Sequence, residues 1–133
     1  MQSRNANVII PTNLDNPPEE HEVNAAWIVA NHYNMVVEFL RPVHGYKIKT
    51  PDIVMDGLMY EIKSPKGTSK KHTVKRQFEK ATSQRAYGLV FDSRRTKLTE
   101  DFLVSQIRRE LALRHRIKKV IFITKSKIIV EIV

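Results

Sequence analysis

Cysteine is absent from the 133 residues, which excludes a disulfide framework, a zinc ribbon and a thiol nucleophile. Folding therefore does not depend on an oxidising compartment. No apolar run approaches the roughly 18 residues of a membrane span; Ala25 to Ala30 is typical of the longest. The opening residues, MQSRNANVIIP, lack the apolar core of a signal peptide. HExxH, GxSxG and a Walker motif are all missing, as are internal repeats and low-complexity tracts. The five histidines show no zinc-ligand spacing. A metal-independent ribonuclease could use two of them as acid and base, but nothing in their spacing pairs them.

What is present is a basic chain with enough apolar residues to fold. Its hydrophobic fraction is 41%, too high for a mainly disordered chain. The length fits one domain, and a chain of this size buries roughly two-thirds of its unfolded surface. The formal charge of +9 points to a polyanionic partner. That charge is uneven: residues 1–62 carry net −4 and residues 63–133 net +13. An acidic half joined to a basic half suits a site that holds a cation with carboxylates and grips phosphates nearby.

Residues 1–17 read as an N-terminal extension or linker, with a short apolar piece at Val8 to Ile10, and residues 18–133 as a single core. Pro17-Pro18 sets up a helix over about 18–33. Acids at Glu19, Glu20 and Glu22 fall in its first turns, where they complement the dipole. Val23, Ala26, Trp27 and Ala30 recur at the helical period, and Trp27 reads as core rather than as a base-stacking platform. Met35 to Leu40 reads as a strand, followed by a turn around His44-Gly45. Asp52 to Met55 and Leu58 to Lys63 read as a hairpin around Asp56-Gly57, a strong turn signal.

The spacing predicts a helix over about 70–86, with Val74, Phe78 and Ala81 inward and Lys71, Lys75, Arg76 and Lys80 mainly outward. A buried strand follows at Tyr87 to Phe91, then a helix over about 99–116 with Thr99 as N-cap. Val120 to Thr124 and Ile128 to Val133 finish as strands. The order is helix, three strands, helix, strand, helix, two strands, an α/β domain with a mixed sheet flanked by helices.

The chemistry concentrates in PDIVMDGLMYEIKSPKG, residues 51–67. Met59, Glu61 and Lys63 share one face of a strand, and Asp52 begins the strand beside it. Burying those charges unpaired would be costly. A divalent cation removes the difficulty: two carboxylates bind it and the lysine balances remaining anionic groups. Hard oxygen ligands suit Mg²⁺ or Mn²⁺. Such an ion polarises a phosphodiester and lowers the pKa of an attacking water, which Lys63 could orient. Glu61 and Lys63 could otherwise be an exposed cross-strand pair. The loop that follows, with Lys66, Gly67 and Thr68, permits close approach of backbone to phosphate. Lys70, Lys71, His72, Lys75, Arg76 and Lys80 extend the basic stretch along the next helix, suited to salt-sensitive phosphate contacts. Arg108, Arg109, Arg114 and Arg116 read as solvated surface.

Asp52, then Glu61-Ile62-Lys63 on the next strand, resemble the PD-(D/E)XK nuclease signature, and the element order is that family's common core. The strings HEVNAAWIVANHY, DIVMDGLMYEIKSPKGTS, ATSQRAYGLVFD and KKVIFITKSKIIVEI resemble, over residues 18–132, the C-terminal tRNA-nuclease domains of CdiA-type contact-dependent growth inhibition toxins. The resemblance implies metal ligation by Asp52 and Glu61, a catalytic Lys63, and a third acid, Glu22, from the first helix. It implies a substrate role for Gln84 on the helix beyond the motif. Lys66, Thr68, Lys70, Lys71 and Lys75 would contact substrate.

The expected activity is a Mg²⁺- or Mn²⁺-dependent endonuclease acting on tRNA. The resemblance also implies a larger toxin that delivers the domain to a target-cell cytoplasm, and a cognate immunity protein in the producer. The alternatives are a DNA endonuclease of restriction or junction-resolving type and a non-catalytic nucleic-acid-binding module.

Overall fold

The computed structural model describes residues 5–42, 50–70 and 72–133. Its elements in chain order are β1 (Asn7–Ile9), α1 (Glu20–Tyr33), β2 (Val36–Phe39), β3 (Ile53–Met55), β4 (Leu58–Lys63), α2 (Thr73–Ser83), β5 (Gly88–Asp92), α3 (Glu100–Leu113), β6 (Lys119–Ile123) and β7 (Ile129–Ile132). The seven strands form one mixed sheet in sequence order. β1 runs parallel to β2; β3 is antiparallel to both β2 and β4; β4, β5 and β6 run parallel; β7 returns antiparallel.

The mixed α/β architecture expected from the sequence is therefore present, with one correction. The segment 1–17, read as an extension or linker, contributes β1, so the sheet begins before residue 18. Three residues flanked by a polar loop carry too little alternation to announce a strand. The expected turn at His44-Gly45 and the basic residue Lys71 lie outside the described residues.

Two apolar layers sandwich the sheet. On one face Ala25, Ala26, Val29 and Ala30 of α1 pack over Val37, Ile53, Ile62 and Val90. On the other, Val74, Phe78 and Ala81 of α2 and Leu103 and Ile107 of α3 pack over Leu89, Phe91 and Phe122. The inward stripe of α1 bypasses Trp27, which is 39% exposed, contrary to the core role expected for it. The small alanines at 25, 26 and 30 let the helix lie close to the sheet and turn the indole out.

Three local devices fix the region of interest. Asp56 and Gly57 both take positive φ, 53° and 76°, the geometry that matches a two-residue turn to strand twist. They lock the register that pairs Ile53 with Tyr60 and Val54 with Met59. Glu19 caps α1 through a capping box with Glu22. At Gly88 a Cβ would lie 2.7 Å from both the Lys119 carbonyl and the Tyr60 ring, so only glycine lets β5 start beneath that ring.

Candidate active site

Asp52 immediately precedes β3, its carbonyl accepting the Leu40 amide at 2.9 Å and so tying it to the end of β2. Continuing the β3/β4 register sets Asp52 opposite Glu61. The side chains prolong the ladder there. The Asp52 amide donates to Glu61 Oε1 at 3.2 Å, and the Ile62 amide donates to Asp52 Oδ2 at 2.9 Å. Alternation along β4 puts Glu61 and Lys63 on one face, and Lys63 Nζ lies 2.9 Å from Glu61 Oε2. Glu61 is only 2% exposed. The hairpin therefore brings together the three residues singled out in the sequence, and in the Glu61–Lys63 pair the carboxylate is buried and the lysine half-buried, unlike an exposed surface charge pair.

The electrostatics are unbalanced. Burial first, and then the charge of Glu61, push the Asp52 carboxyl up to about 7, with Glu22 adding to the rise. The Ile62 amide and Lys63 oppose it and do not overcome it. Two carboxylates thus share one ammonium in a poorly solvated position.

Glu22 stands at the margin. It lines, with Phe39, Pro51 and Asp52, a cleft of about 240 Å³ between the start of α1 and the start of β3. Its Oε1 accepts the Glu19 amide at 2.9 Å as part of the capping box. Among the described residues no three Asp, Glu or His side chains converge closely enough to hold a metal between them. The donor set that does converge is Asp52 with Glu61. Its chemistry fits a hard divalent cation: the ligands are carboxylate oxygens, and the raised Asp52 carboxyl marks negative charge left uncompensated.

The remaining expected site residues fall in two places. Lys66, Thr68 and Lys70 are exposed on the loop beyond Lys63, and Lys75 is exposed on α2. Gln84 caps the C-terminus of α2, and its buried Oε1 has no hydrogen-bond partner. Because β4 and β5 are parallel, α2 runs back from the Lys63 end of the sheet to the Gly88 end. Gln84 consequently sits toward the Gly88 end of β5, away from Lys63 along the sheet.

Sequence reasoning passed over residues 92–97. The Asp92 carboxylate, fully buried, takes a two-pronged contact from Arg94, Nε to Oδ1 at 2.9 Å and Nη2 to Oδ2 at 2.7 Å. Arg95 Nη1 meets His21 Nε2. The Thr96 hydroxyl and the Lys97 amide both donate to the Gly67 carbonyl at 2.9 Å. Gly67, expected to let backbone approach a phosphate, thus ties the loop after β4 to the loop after β5. A local signal existed only for the first pair, an Asp two residues before an Arg.

The sheet order and the paired acids with a lysine define a mixed α/β domain with a charged centre where its strands end. A solved structure, the CdiA-CT/CdiI toxin and immunity complex from Burkholderia pseudomallei, matches it with a TM-score of 0.66, covering 95% of this chain and 98% of that one. At 20% sequence identity this likeness is one of fold. The chain belongs to the contact-dependent growth inhibition CdiA C-terminal domain family, whose model matches residues 49–129, a stretch that holds Asp52, Glu61 and Lys63. No curated protein sequence matches it.

Proposed function

We propose that this domain is the toxin of a contact-dependent inhibition system, a metal-dependent endonuclease of the PD-(D/E)XK kind whose substrate is tRNA. The observation that carries the reading is the convergence of Asp52, Glu61 and Lys63, with the Asp52 carboxyl raised to about 7. Two carboxylates crowded beside one lysine in a poorly solvated position are an arrangement that a bound cation would relieve.

Asp52 and Glu61 would hold Mg²⁺ or Mn²⁺. Bound there, the ion supplies Lewis acidity toward the phosphate and lowers the pKa of a water. Lys63 orients the attacking water or neutralises charge developing on a phosphate oxygen. Glu22 adds negative field at the cleft mouth, and as a third ligand it would have to leave its capping contact. Lys66, Thr68, Lys70 and Lys75 grip flanking phosphates, an affinity that falls as salt rises. Lys71 extends the same basic run of sequence.

The choice of tRNA rests on the likeness of residues 18–132 to tRNA-cleaving toxin domains. The family is that of a C-terminal domain, which supports delivery as part of a larger protein into a target-cell cytoplasm. The complex formed by the structural neighbour supports a cognate immunity protein, and a basic chain suits an acidic one.

Expression in bacteria without a protecting partner, followed by gel analysis of nucleic acids, tests the reading. Discrete tRNA fragments that vanish in a Glu61→Ala variant are expected. Intact tRNA beside fragmented chromosomal DNA would reject it in favour of a DNA endonuclease.

A further inference from the structure

Arg94 and Arg95 are neighbours with opposite surroundings. Arg94 spends its guanidinium on Asp92, and that carboxylate raises the Arg94 pKa further. Arg95 meets a histidine ring instead, and among the described residues it makes no salt bridge. A guanidinium has no lone pair to offer, so His21 Nε2 accepts and any ring proton sits on Nδ1, 3.6 Å from Glu19 Oε2. The ring thus orients Arg95 without cancelling its charge.

The loop is also fixed in place. Ser93 Oγ donates to the Ile123 carbonyl at 2.7 Å, and Lys125 Nζ donates to the carbonyls of Ser93 and Thr96. Together with the two bonds to Gly67, these ties hold the segment against both neighbouring loops. Its position is at the candidate active site's end of the sheet: Lys63 pairs with Phe91 just before the loop, and His21 adjoins Glu22 on α1.

We propose that Arg95, oriented by His21, binds a phosphate of the nucleic-acid substrate at the Asp52–Glu61–Lys63 centre, with His21 as its positioning residue. The inference rests on the nuclease reading given above. A fixed, fully charged guanidinium with spare donors offers the two-pronged contact that phosphate oxygens accept. Lysines on an exposed loop supply charge without that fixed direction.

Binding of labelled bulk bacterial tRNA to the Glu61→Gln protein, across a salt series, tests it. Arg95→Gln keeps a polar side chain of similar stem and removes the charge together with the forked terminal donors that reach His21. It should weaken binding about tenfold and lower the slope of log affinity against log salt by about one, with the thermal midpoint unchanged. Arg95→Lys should restore the slope and part of the affinity. His21→Ala should weaken binding several-fold, and His21→Gln, which keeps an acceptor, should recover it. Arg94→Ala should lower the thermal midpoint and leave the salt slope alone, because it strands a buried carboxylate. Unchanged affinity and slope in Arg95→Gln, with a wild-type protein that cuts RNA, would overturn this inference alone. A wild-type protein that neither binds nor cuts RNA would remove it together with the nuclease reading.

Discussion

Two clusters in this fold are built from the same groups and come out opposite. Near the end of β7, Glu131 accepts from Lys119 at 3.2 Å and from the Tyr33 hydroxyl. Hydrogen bonds from Tyr33 and then Lys119 lower the Glu131 carboxyl, and the Lys119 ammonium is raised by Glu131 and Tyr60 despite its burial. Every charge there is favoured by its neighbours. At the start of β3, Asp52 faces Glu61 with Lys63 as the shared cation, and its carboxyl rises to about 7. The first cluster is a strut between α1, β6 and β7. The second leaves carboxylate charge uncompensated, and that imbalance is what a cation or an anionic substrate with its counterion would relieve.

The contrast is testable by substitution, beginning with the largest effect. Asp52→Ala, Glu61→Ala and Lys63→Ala should each cut RNA cleavage by on the order of a thousandfold or more, with far-ultraviolet circular dichroism unchanged. A variant of any of the three that retains most of its activity would make the centre a second strut.

Gly88→Ala, which leaves the Asp52–Glu61–Lys63 side chains unchanged, should cost about 1–3 kcal/mol in urea unfolding. Its Cβ would meet the Lys119 backbone at 2.7 Å, which cannot swing aside.

The pH dependence follows from the sign of the Asp52 shift. Its folded pKa is raised from 3.8 to about 7. The stability this contributes is therefore fully present below about pH 4 and lost as pH rises through about 7. In chelator the loss should approach 1.4 kcal/mol per pH unit over that window. Asp52→Asn, which still accepts the Ile62 amide, should flatten it and be the more stable protein at pH 8. Equal pH profiles for the two proteins would contradict the crowded-carboxylate account.

The smallest effects belong to the strut and the basic face. Lys119→Met should lower stability by about 1 kcal/mol and leave cleavage intact. Lys75→Ala should leave stability alone and reduce the salt slope of RNA binding by about one.

Much of the centre was legible before folding. Asp56-Gly57 and the alternation after it placed β4 at its observed bounds, Leu58–Lys63, and strand periodicity then put Glu61 and Lys63 on one face. The inward stripe of α2 followed from helical spacing in the same way. What local pattern could not carry was direction and distance. Gln84 lies on the expected helix, but the parallel β4/β5 crossover sends that end of α2 away from Lys63. Glu22 sits on the expected turn, yet a capping box already uses one of its oxygens. Arg95 meets His21 across 74 positions of sequence, a pairing that no local spacing encodes. Arginines scattered through a basic chain look alike until a partner distinguishes them.

The central claim is that Asp52 and Glu61 form a cation-dependent cleavage centre. Purified protein should be incubated with bulk tRNA in Mg²⁺ or Mn²⁺, and again in excess chelator, with the products resolved on a denaturing gel. The account predicts discrete fragments with either ion, none in chelator, and recovery when the ion is restored. Undiminished cleavage in chelator would contradict it and return attention to a histidine acid–base mechanism.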